Sequence, residues 1–101
     1  MKTVLTVLTA VFALGGMAQA EETIPHDVQA FIRNAEACEH FAGEFDSNLS
    51  ETRQKEIEHS VVKYCRRAQK QLQKLRLQYE KDARIMGVIR QHTNESVASF
   101  R

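Results

Sequence analysis

Cys38, His40, Glu44, His59 and Cys65 are the residues of this sequence best suited to chemistry. Two thiols and two imidazoles form an acceptable zinc set, because zinc takes nitrogen and sulfur ligands in a tetrahedron. Their spacing works against it. On a helix His59 sits about 120° from Cys65, and Cys38 about 160° from His40, so neither pair converges on one ion. The second angle also spoils a Cys38–His40 nucleophile pair, for which no third residue stands ready to orient the base. His40 and Glu44 are four apart and share a helix side, as a general acid–base pair or two metal ligands would. The structural alternative has His40 complementing the negative end of its helix. No glycine-rich phosphate loop or cofactor motif is present, so the reading is not an enzyme, with no cofactor.

The cysteines make better sense as a single bridge, and the N-terminus says why. Lys2, an apolar run from Val4 to Leu14 and the small residues Ala18-Gln19-Ala20 read as a signal peptide over 1–20, cut after Ala20. A membrane anchor would need about 20 apolar residues, and this run is far shorter, so no stable anchor is expected. No cysteine follows the cut for lipid attachment. The expected address is the periplasm, where two cysteines allow one intramolecular disulfide, Cys38–Cys65. Residues 21–101 then form one small domain with little apolar surface to bury, and closing such a loop is worth roughly 3–4 kcal/mol.

The elements that hold these residues read as all-α: a three-helix domain with a long central helix. Residues 21–25 read as a loose polar lead. A first helix over about 26–42 starts at Pro25, has Asp27 in its first turn and stops at Gly43. Val28, Phe31, Ile32, Ala35, Cys38 and Phe41 recur at the three-and-four spacing of one buried face. Ser50 caps a second helix over about 51–81, unbroken by Pro or Gly, with Ile57, Val61, Tyr64, Cys65, Ala68, Leu72, Leu75 and Tyr79 in one seam. Asp82 caps a third over about 83–98, with Ile85, Met86, Val88 and Ile89 apolar and Val97 or Phe100 docking the tail.

The bridge sets the register of the first two helices. Cys38 lies near the end of one and Cys65 well inside the other, whereas a tight hairpin would bring Cys38 beside residue 55 or 56. The offset of about 14 Å of helix rise is within reach of an extended connection. Residues 43–49 should therefore run back along the second helix, with Phe41, Phe45 and Leu49 near Ile57, Val61 and Val62.

Charge is balanced overall at +1 but split along the chain. Residues 21–58 carry ten acids against three bases, and residues 59–101 carry ten bases against three acids. The simplest account has the halves folding on each other. The rival account is a binding surface: Lys63, Arg66, Arg67, Lys70, Lys74 and Lys81 form a stripe opposite the seam, with Leu77 among them. Such a stripe suits the phosphate or carboxylate groups of an anionic envelope component, or a protein partner. It lacks interleaved aromatics for base stacking, so nucleic acid is not expected. Glu44, Phe45 and Asp46 in the connection are a second contact candidate, and the long helix offers a face for a homodimer.

The segment Cys38-Glu39-His40-Phe41-Ala42-Gly43-Glu44, with Val28-Gln29-Ala30-Phe31-Ile32 before it and Cys65 after, resembles small exported bacterial helical proteins of uncharacterised function. They share a Cys-x-His-aromatic-x-Gly-Glu segment and a second downstream cysteine. The resemblance implies a compact helical exported domain and brings no activity. The small periplasmic inhibitors of lysozyme are similar in size and address only. The sequence thus supports a non-enzymatic periplasmic helical protein acting through protein or envelope contacts. The alternatives are a metal binder using His40 and Glu44, and an inhibitor of an envelope hydrolase.

Overall fold

The computed structural model describes residues 23–101; the expected signal peptide and its cleavage point lie outside them. Of the described residues 78% are helical, with no strand among them. The helices are α1 (His26–Glu44), α2 (Glu51–Gln78), α3 (Ala83–His92) and α4 (Glu95–Ser99). None is long and apolar enough to cross a membrane.

Cys38 and Cys65 form the disulfide, with their Cα atoms 4.7 Å apart. Around it the core follows from spacing. In α1 Val28, Phe31, Ala35 and Cys38 are buried, and in α2 Cys65, Ala68, Leu72 and Leu75. Both sets step by three, four and three. For antiparallel helices pinned at the cysteines, Ala35 falls level with Ala68, Phe31 with Leu72 and Val28 with Leu75. Polar contacts keep the same register on either side of the seam. Asn34 Nδ2 donates to Gln71 Oε1 at 3.0 Å. Farther along, the Tyr79 hydroxyl donates to Asp27 Oδ1 at 3.0 Å and Gln78 Nε2 to Asp27 Oδ2 at 3.1 Å.

Two starts match their side chains. Ser50 Oγ accepts from Arg53 N at 3.2 Å, and Asp82 Oδ1 accepts from Ile85 N at 3.1 Å. The stops differ from the sequence reading. Gly43 does not end α1, which runs on to Glu44, because its φ is not positive and nothing there needs glycine's freedom. The chain turns extended at Phe45 instead. The second helix, read to residue 81, ends at Gln78. Tyr79 N–H bonds back to the Leu75 carbonyl, and Asp82 N to the Tyr79 carbonyl at 2.9 Å closes the turn into α3.

The third segment, read as one helix over 83–98, is two. Thr93 is extended and its hydroxyl donates back to the Ile89 carbonyl at 2.7 Å, closing α3. Asn94 then does two things: its Oδ1 accepts from Val97 N at 2.9 Å, capping α4, and its Nδ2 donates to the Ala35 carbonyl of α1 at 2.9 Å. The break lets Val97 be buried beside α1 and α2, while Ile85 and Ile89 carry α3 onto α1. Gln69 of α2 holds the tail, donating to the carbonyls of Val97 at 2.8 Å and Phe100 at 2.6 Å. Nor is the lead loose over its described part. Ile24 packs against the core and its carbonyl accepts from Gln29 Nε2 at 2.7 Å, while the Thr23 carbonyl accepts from Arg84 Nη2 at 3.0 Å.

Three outcomes follow from these contacts. Breaking the bridge by reduction, or by Cys38→Ser with Cys65→Ser, should lower unfolding free energy by about 3–4 kcal/mol in urea titrations. Asn94→Ala removes a cap and an inter-helix bond together, so a loss of about 1–2 kcal/mol is expected, with faster amide exchange at Val97. Partial burial, the hydrogen bond to Asp27 and the charges of Asp27 and Asp82 raise the Tyr79 hydroxyl above its usual 10.0. The neutral phenol is therefore favoured by the fold. Its contribution is complete below the ordinary value of 10.0 and is lost as pH rises from there through the raised value of the folded protein. Tyr79→Phe should flatten this alkaline limb of the stability curve, as read by thermal melts between neutral and high pH.

Candidate functional site

Burying the α2 seam leaves its opposite side to water, and that side carries Lys63, Arg66, Arg67, Lys70 and Lys74, all exposed. Helical spacing sets like charges beside one another. Lys63 neighbours Arg66 and Arg67, Arg66 neighbours Lys70, and Lys70 neighbours Arg67 and Lys74. Each such pair costs an isolated helix about 0.2–0.5 kcal/mol, so the stripe does nothing for helix stability. Among the described residues none of the five makes an ion pair. Lys63 Nζ lies 5.1 Å from the Tyr64 ring centroid, a cation–π contact that leaves the charge accessible. Val62, Lys63, Arg66, Arg67 and Lys70 line one shallow groove. Lys74 stands on the other flank, in a cleft shared with Asp27 and Gln78. Leu77, within the stripe, is 75% exposed.

Among the described residues no ion pair joins the acidic half to the basic half. Every ion pair among the described residues falls between residues 40 and 56, and none reaches the basic half. The halves do fold on each other, α1 against the part of α2 from Cys65 on, but by apolar packing and not through ion pairs. Two amphipathic helices packed by their apolar seams turn their charged sides away from each other.

The connection is placed where the register requires. Gln54 Nε2 donates to the Ser47 carbonyl at 3.0 Å and the Leu49 carbonyl at 2.8 Å, holding the chain along the first turns of α2. Phe41 stacks on Tyr64 with ring centroids 5.5 Å apart. Phe45 lines a groove with Ala42, Glu58, Val61 and Val62, yet remains 44% exposed. Its two acidic neighbours are engaged. Glu44 meets His40 Nε2 at 3.1 Å and Arg53 at 3.6 Å. Asp46 Oδ1 accepts from Asn48 N at 2.9 Å, and its carbonyl from Leu49 N at 3.1 Å, forming the turn.

The metal readings narrow accordingly. Both thiols are spent in the bridge, which removes the zinc set and any cysteine-assisted version. His59 sits elsewhere, in a surface hollow with Thr52, Lys55, Glu56 and Ser60. His40 and Glu44 do come together, but no three His, Cys, Asp or Glu side chains gather as a metal site among the described residues. Val62 is the surface residue that the sequence reading placed against the connection and that the structure leaves 39% exposed. Its place beside the core seam made it look covered. Comparison with protein-family models, curated proteins and solved structures found no match to this chain.

Proposed function

We propose that this chain is a non-enzymatic, exported helical protein that acts in the periplasm by binding a protein or an anionic envelope component. The observation that supports this most is the set of cations on α2, held in like-charged company with no acidic partner among the described residues. From Lys63 to Lys74 they span about 16 Å of helix rise, so the fitting ligand is extended and carries several negative groups. Arg66 and Arg67 supply planar forks for carboxylate or phosphate, and the lysines supply point charges. The rigid helix fixes their spacing in advance, which limits the side-chain ordering cost of binding. Exposed charges of this kind act over about 8 Å at physiological salt and fade as salt rises.

The disulfide-bonded protein should be recovered with an envelope fraction at low salt and released by high salt. Reversing Lys63, Arg67, Lys70 and Lys74 to Glu together should cut that recovery by more than about tenfold. Circular dichroism should be unchanged, since the reversal touches only exposed positions. Equal recovery of the reversed and parent proteins would remove the stripe as the contact.

A further inference from the structure

Val62 is the ridge between two different grooves. On one side lie Phe45, Ala42 and Glu58; on the other lie Lys63, Arg66 and Lys70. Glu58, Val62 and Arg66 follow one another at four-residue intervals, so they form a single row along α2. The row reads acid, apolar, base. Neither charge has an ion-pair partner among the described residues. Lys55, three before Glu58, is taken by Glu51 at 3.8 Å. The helix neighbours of Arg66 are Val62, Lys63, Gln69 and Lys70, none of them acidic.

We infer that a second copy of this chain docks on this row, with the two α2 helices antiparallel and the Val62 residues facing each other across a twofold axis. A symmetric contact needs a patch complementary to itself. Reversing the row about Val62 sets Glu58 opposite Arg66 of the second copy, and Arg66 opposite its Glu58. Both orphan charges are satisfied at once. A parallel arrangement would set acid on acid and base on base, which is repulsive. A purely acidic partner would leave Glu58 unmatched, and a purely basic one Arg66. Phe45 and Val62, 44% and 39% exposed, supply the apolar centre that two copies would cover.

The fold also bounds the contact. Beyond Arg66 the tail lies against α2, fastened through Gln69 to the carbonyls of Val97 and Phe100. The helices therefore cross near Val62 instead of running side by side. Such a contact falls short of the roughly 800 Å² per partner of a standard interface, so the dimer is weak and reversible. Arg66 is the one cation that both readings use; Lys63, Arg67, Lys70 and Lys74 need not be covered by this contact, and reversal at Glu58 tests it without touching the stripe.

Sedimentation equilibrium of the disulfide-bonded protein, from about 10 µM to about 1 mM, tests it. The parent should move from monomer to dimer across that range. Glu58→Arg alone and Arg66→Glu alone should each weaken association by about tenfold or more, because each sets up two like-charged pairs. Mixing these two variants in equal amounts should restore dimers, now mixed ones, and the double variant should pair with itself. A parent that stays monomeric throughout would overturn the inference, whether or not a foreign partner uses the flank. So would single reversals without effect, or a mixture that fails to associate. All these positions are exposed, and matching melting temperatures will show that folding is intact.

Discussion

One covalent bond, Cys38–Cys65, sets the level at which two helices meet, and the layers above and below it follow. From Cys65 on, the buried residues of α2 repeat the spacing of those of α1, read in the opposite direction. Fixing one pair therefore aligns Ala35 with Ala68, Phe31 with Leu72 and Val28 with Leu75. The same offset explains why the connection cannot be a tight hairpin. Residues 45–50 must travel back beside α2, and Gln54 holds them there through two carbonyls. A chain this small has little apolar area to spend on choosing among sliding registers, so the bridge removes that choice.

The surface is a consequence of that packing. Once the apolar seams face each other, charges on both helices must point outward. Among the described residues no ion pair therefore joins the acidic first half to the basic second, and the small network of His40, Glu44, Arg53 and Glu56 lies within the first half. What remains is a helix whose far side is cationic and whose flank at Val62 carries one acid and one base with no ion-pair partner among the described residues. The two proposals draw on adjoining surfaces that share Arg66. One concerns a ligand outside the molecule, the other a second molecule of the same kind.

Much of this was legible in order and type of element, because the signals are local. Ser50 and Asp82 cap where short polar residues before apolar runs cap, and the three-and-four spacing of Phe31, Ala35 and Cys38 marks a buried face. What was not legible depends on distant partners. The end of α2 at Gln78 goes with the grip of Asp27 on Tyr79, 52 residues away. Thr23 is tied down by the side chain of Arg84, 61 residues away. The break between α3 and α4 did have a local sign, since Asn94 followed by Glu95 is a helix start. Its second bond, to the Ala35 carbonyl, is long-range and could not be foreseen. At the candidate sites, helical spacing located the cations and the His40–Glu44 pair. It could not show that Glu44 is shared with Arg53, or that Val62 stays open.

The most direct test of the central claim is peptide mapping of the unreduced protein by mass spectrometry, after blocking of any free thiols. The account requires the peptides carrying Cys38 and Cys65 to appear joined and to separate only on reduction. Finding both cysteines blocked as free thiols, with no joined peptide, would contradict it and remove the register on which the layers, the connection and both exposed surfaces have been placed.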